Sequence, residues 1–156
     1  MPVKESPAFV KFHFQHKTLS LKNRNKLKTF ILSIFKKEKL ALVSLNYIFC
    51  SDKYLLGINK EFLNHNYYTD IISFNLANKE APVEGEVYIS LDRVKANALE
   101  LNQYYKTELH RVILHGALHL CGYNDKTSKE IDLMRKMEEY YLKAYFSPEL
   151  NKKTPL

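Results

Sequence analysis

Two histidines four residues apart, His115 and His119, with Asp125 six residues further on, form a set that can hold a metal ion. Residues at i and i+4 share one face of a helix, so both imidazoles can aim a ring nitrogen at a single point. Gly122 supplies the glycine that commonly ends a helix, after which the chain can fold back and bring Asp125 to the same point. Three protein ligands and one open position is the usual plan of a catalytic zinc site, whereas structural zinc is closed by four ligands, often cysteines. The spacing therefore predicts one catalytic ion, zinc by its donor set. Such an ion would polarise a phosphoryl oxygen and lower the pKa of water from about 15.7 toward about 7.

The surroundings favour that reading over two incidental histidines. Val112, Ile113 and Leu114 through Leu120 make the helix apolar nearly all round, which predicts burial. A buried polar group without a partner costs roughly 1 to 3 kcal/mol, and a shared ion would satisfy both rings. Gly116 costs a helix interior about 1 kcal/mol relative to alanine, so a close packing contact is expected there. Cys121 falls two residues past His119 and points away from the proposed ion. Glu108 and His110 precede His115 on the same helix and are candidates for a supporting layer, although Glu108 would equally suit the positive end of the helix dipole.

The segment His115-Gly-Ala-Leu-His-Leu-Cys-Gly-Tyr123 resembles the signature of the YbeY family of metal-dependent endoribonucleases. Thr69-Asp-Ile-Ile-Ser-Phe74 is similar to that family's Thr-Asp-Val-Leu-Ser-Phe segment, and Gly85-Glu-Val-Tyr-Ile-Ser90 to its Gly-Asp-Ile-x-Ile-Ser segment. The resemblance implies single-strand endoribonuclease activity in ribosomal RNA maturation and ribosome quality control. The implied partners are RNA and the ribosome or its small subunit, with neither DNA nor a membrane. It also places the strand carrying Asp70 and Ser73 beside the metal cleft, which makes both candidate catalytic residues. Bland readings stay open beside this: Thr69 starting the strand, Asp70 capping or pairing, Ser73 simply facing inward. Two departures fall at sites of chemistry. Asp125, preceded by Asn124, stands where the family usually has a histidine preceded by an aspartate, which leaves Asn124 as the main competitor for the ligand role. Leu63 stands where the family often has an arginine, which implies either another cation, with Lys60 or His65 as the candidates, or a weaker nuclease.

Two other classes compete with the nuclease. One is an RNA-binding ribosome-assembly module braced by a structural metal. The other is a metallopeptidase, less natural because Gly116 occupies the position of the water-activating glutamate in a His-Glu-x-x-His helix.

The chain of 156 residues, 46% hydrophobic and 26% charged, fits one domain over residues 1–150 with a loose tail at 151–156. No run of 18 apolar residues and no secretory segment is present, so a soluble, cytoplasmic protein is expected. Cys50 and Cys121, far apart in sequence, should be free thiols. The net charge of +7 is concentrated between Lys17 and Lys39, where Lys17, Lys22, Arg24, Lys26, Lys28, Lys36, Lys37 and Lys39 face only Glu38. That is the electrostatic footprint of a polyanion-binding face, although a solvated lysine-rich helix has the same composition.

Periodicity supplies the scaffold. Phe9–Phe14 alternates as a strand with His13 at the surface, and His16 calls for no special role. Leu27, Phe30, Ile31, Ile34 and Phe35 predict an amphipathic helix over about 21–37. Val43–Cys50 reads as a strand, followed by a helix capped by Asp52 and running to near Phe62. Strands at Asp70–Asn75 and Glu86–Ser90 should be neighbours. Helices are expected over 91–104, 107–120 and 128–145, the last opened by a capping box from Thr127 to Glu130. Its buried stripe is predicted as Leu133, Met137, Tyr140, Tyr141 and Ala144. Together these give an α+β fold: a small mixed sheet of about four strands with helices packed on it, the metal helix among them.

Overall fold

The structure, a computed structural model, describes residues 6–15 and 21–147; His16, Lys17 and the expected tail lie outside the described residues. Its elements run β1 (Phe9–Phe14), α1 (Arg24–Lys37), β2 (Leu42–Cys50), α2 (Asp52–Leu63), β3 (Ile71–Asn75), β4 (Val83–Ser90), α3 (Leu91–Glu100), α4 (Tyr105–Leu120) and α5 (Ser128–Phe146). The four strands form one mixed sheet in the order β1-β2-β4-β3. β1, β2 and β4 are parallel, and β3 pairs antiparallel with β4, Ser73 lying opposite Val87. Parallel neighbours cannot be joined by a tight turn, and α1 makes the crossover from β1 to β2. The expected α+β class and mixed four-stranded sheet are what the chain adopts.

Alternation along β3 and β4 decides what each face of the sheet meets. Val87 and Ile89 join the main core with Leu45, Tyr47 and Phe49 of β2 and Ile113, Leu114 and Leu118 of α4. Ile72 belongs to a smaller cluster with Leu55, against which Ile58, Phe74 and Tyr88 pack. Ile71 packs against the main core, so Ser73, two residues on, shares its side of the strand and turns toward α4. The glycine in α4 is explained here. A Cβ at Gly116 would lie 2.8 Å from Val87 Cγ1 and 3.0 Å from Ile71 Cδ1, so its absence lets the metal helix sit directly on the sheet. The Tyr47 hydroxyl, fully buried, donates to the Ile113 carbonyl at 2.8 Å and fixes α4 along the sheet.

Several boundaries differ from expectation for local reasons. Ser51, not Asp52, caps α2: its side chain accepts from the Tyr54 amide, while Asp52 holds Arg93 at 2.7 Å and accepts from the Ser90 hydroxyl. α3 stops at Glu100, with Asn102 close behind at φ 52°. The Thr127 capping box is present as predicted. The stripe on α5 is rotated, since its buried residues are Met134, Glu138, Tyr141 and Tyr145 while Leu133 and Tyr140 are exposed. Only Tyr141 of the predicted set is fully buried; an acidic residue on the inner face hid the true register. Among the described residues no helix is long and apolar enough to cross a membrane.

Candidate metal centre

Helix α4 presents His115 and His119 one turn apart with ring centroids 4.5 Å apart and the rings nearly perpendicular. Past its C-terminus Gly122 takes φ +103°, a conformation that side-chain-bearing residues rarely adopt, and Tyr123 N–H returns to the Leu118 carbonyl at 3.1 Å. The chain is thereby turned so that Asp125 Oδ2 lies 3.4 Å from His115 Nε2 and 3.2 Å from His119 Nε2. Ligand atoms of the three residues fall within 4.8 Å of one another, close enough to hold a metal ion. Asn124, the competing candidate, is not among the residues lining the cleft around this cluster, whereas Asp125 is. The Cys121 thiol is pushed up to about 12 by burial and by the nearby Glu38 charge, so it is protonated at neutral pH. Both cysteines are free, as expected.

These residues form one wall of a cleft of about 810 Å³ that also takes in Leu63, His65, Tyr67, Asp70, Ser73, Arg111 and Lys126. His65, Asp70, Ser73, His115, His119 and Asp125 thus line one cavity. The loop carrying His65 is fixed from α2: Asn64 ends the helix at φ 55°, His65 N–H donates to the Asn59 carbonyl at 3.1 Å, and buried Asn59 donates through Nδ2 to the Tyr67 carbonyl at 2.8 Å. Tyr67 stacks on His65 with ring centroids 5.0 Å apart. Lys60, the other cation considered for the place of the family's arginine, is not among the cleft residues.

Asp70 and Ser73 sit where polar groups are costly. Burial lifts the Asp70 carboxyl above its ordinary range, outweighing the lowering influence of Arg111 and His115. Asn97 Nδ2 donates to Asp70 Oδ2 at 3.2 Å. Among the described residues, two buried side-chain polar atoms have no hydrogen-bond partner, Ser73 Oγ and His115 Nδ1, and both belong to cleft residues. Such groups are few in native proteins and mark places where the fold gives up stability for function.

Behind the wall lies a charged layer of which sequence reading picked out Glu108 but missed Arg111 and Glu138. Glu108 and Glu138 are 2% and 3% exposed, and both bind Arg111: Nε donates to Glu108 Oε2 at 2.9 Å and Nη1 to Glu138 Oε1 at 2.7 Å. Burial pushes the Glu138 carboxyl up, but His115 and Arg111 more than offset it and hold it below the ordinary carboxylate range. Glu108 therefore belongs to the supporting layer, whereas His110 does not. Its ring bonds the Lys106 carbonyl and stacks on Tyr145, and burial lowers its pKa. The detectable signal was spacing, since Glu108, Arg111 and His115 recur at helical intervals on one face of α4.

Comparison with known proteins agrees with this geometry. A family model described as endoribonuclease YbeY matches residues 11–146. A protein of Cytophaga hutchinsonii named endoribonuclease YbeY is 50% identical over 82% of this chain and 90% of its own length. One of the same name from Porphyromonas gingivalis is 42% identical over 85% of this chain and 87% of its own. The solution structure of a Thermotoga maritima protein superposes with a TM-score of 0.65 at 27% identity, covering 92% of this chain and 93% of that one. A match over nearly the whole folded length, in sequence and in fold, establishes that the chain belongs to the YbeY endoribonuclease family.

Proposed function

We propose that this protein is a zinc-dependent endoribonuclease that cleaves single-stranded RNA, acting in the cytoplasm in ribosomal RNA maturation and ribosome quality control. The observation that carries the metal assignment is the cluster of donor atoms: the two Nε2–Oδ2 distances are 3.4 and 3.2 Å, and ligand atoms of all three residues lie within 4.8 Å of one another. Two imidazoles and a carboxylate are a donor set that zinc takes in catalytic sites. His115, His119 and Asp125 would hold one ion at the wall of the cleft. When bound, the ion supplies Lewis acidity to the phosphoryl group and acidifies water.

The chain's own residues supply the rest. Asp70, a cleft residue whose carboxyl is lifted by burial, is suited to take the proton from the attacking oxygen, since a raised pKa makes a carboxylate a stronger base. Ser73 Oγ, without a hydrogen-bond partner among the described residues, can donate to a phosphate oxygen. His65, stacked on Tyr67 in the same cleft, meets the nucleotide. Arg111 is taken up by two carboxylates, so Lys126 is the further cation available to a phosphate in the cleft. The test is cleavage of matched single-stranded and duplex RNA by wild type and His115→Ala. Cutting of the single strand by wild type alone is expected; equal cutting by His115→Ala, or none by zinc-loaded wild type, would overturn the reading.

A further inference from the structure

His115 has two ring nitrogens and only one can serve an ion. Nε2 faces Asp125, and Nδ1 is buried with no partner at hydrogen-bonding distance. The carboxylate oxygen facing Nδ1 is Glu138 Oε1, 3.5 Å away on the neighbouring helix α5. That oxygen is itself held: Arg111 Nη1 donates to Glu138 Oε1 at 2.7 Å and to Oε2 at 3.2 Å, and the rest of the guanidinium is gripped by Glu108. Two buried acids around one part-exposed base are an expensive way to pack two helices. Well-packed apolar residues are often as stabilising or more so.

We infer that Glu138 is a positioning residue for His115, and that the Glu108–Arg111–Glu138 cluster exists to present a fixed carboxylate to Nδ1. A carboxylate accepts and cannot donate, so once an ion is held at Nε2 the ring proton lies on Nδ1, and Glu138 is the acceptor that keeps the ring in that orientation. Arg111 keeps the Glu138 carboxylate from turning away, and Glu108 holds the Arg111 guanidinium to that task although it borders the cleft. The inference rests on the reading of His115, His119 and Asp125 as metal ligands, and extends it to three residues outside the ligand set.

One readout is the tautomer of His115 in metal-free Asp125→Ala protein, where the competing carboxylate at Nε2 is gone, measured by nitrogen NMR of labelled histidine at a pH above imidazole titration; the other is zinc affinity of the protein with Asp125 intact, measured by chelator competition. With Glu138 present the proton should sit on Nδ1. Glu138→Leu leaves Arg111 neutralised by Glu108 alone and removes the acceptor, so the population should move toward Nε2–H and, with Asp125 intact, zinc affinity should fall by about 10- to 100-fold. Glu138→Gln keeps a weaker, neutral acceptor and should give a smaller change in the same direction. An unchanged tautomer and unchanged affinity in the two variants would overturn the assignment. If Glu138→Leu does not fold, the Gln variant decides by the same criterion. Failure of wild type to bind zinc would count against the ligand assignment itself, whereas the tautomer, read without metal, tests Glu138 separately.

Discussion

Asp70 holds a carboxyl where burial disfavours its charge, and that cost has a measurable sign. Its folded pKa lies above the unfolded value, so any stability the group contributes is present at low pH and is lost as pH rises through the raised value. Asp70→Asn in metal-free protein should therefore raise the thermal midpoint at neutral pH, a gain that disappears below the ordinary carboxylate range. Cleavage should fall by about 10²- to 10⁴-fold, the usual contribution of a general base. Thermal scans across pH beside cleavage rates check this; a variant that cuts at the wild-type rate would remove Asp70 from the chemistry. At this scale the clustering of His115, His119 and Asp125 was legible because spacing alone brings two rings to one face. Asp70, Ser73 and His65 came to notice through family likeness rather than through pattern. Glu138 was not legible, because its role depends on α5 lying against α4, which no local period encodes.

Helix α4 is the element on which the site depends, and it is placed by what Gly116 lacks. Gly116→Ala would gain roughly 1 kcal/mol of helix propensity, but its methyl would press on two buried branched side chains. Overpacking of that kind typically costs about 1–3 kcal/mol. A net loss of stability is expected, together with weaker zinc binding as the two histidines shift off the sheet. Chemical denaturation and zinc competition on the variant test this, and a more stable protein with intact zinc affinity would show that α4 is not held so closely. Element types and order were legible from periodicity, down to the Thr127 capping box. The α5 register was not: apolar counting chose Leu133 and Tyr140, while the chain buries Met134, Glu138, Tyr141 and Tyr145. A buried glutamate paired across helices breaks the rule that charges face water.

For the whole molecule, the net charge of +7 is carried by the region around α1. Several of its cations lie over aromatic rings, Lys26 over Tyr145, Lys28 over Phe12 and Lys37 over Tyr140. Stems that pack on rings can still leave their ammonium groups available to phosphate. Reversing Lys22, Lys26 and Lys36 to Glu should weaken RNA binding and flatten its dependence on salt, because fewer counterions are released, without loss of zinc. Binding titrations at several salt concentrations check it, and unchanged affinity would return this face to a solvated surface. Charge clustering was visible in the sequence; the cleft was not, since it joins residues from α2, β3, α4 and the loop after α4. The central claim is that three side chains hold the ion on which RNA cutting depends. It is tested most directly by measuring bound zinc per chain and cleavage of single-stranded RNA side by side in wild type, His115→Ala, His119→Ala, Asp125→Asn and Asp125→His. About one zinc per chain in wild type and in Asp125→His, with zinc and cleavage lost together in the other three, is the predicted result. Full zinc occupancy in a folded His115→Ala, or full cleavage by a protein without zinc, would contradict it.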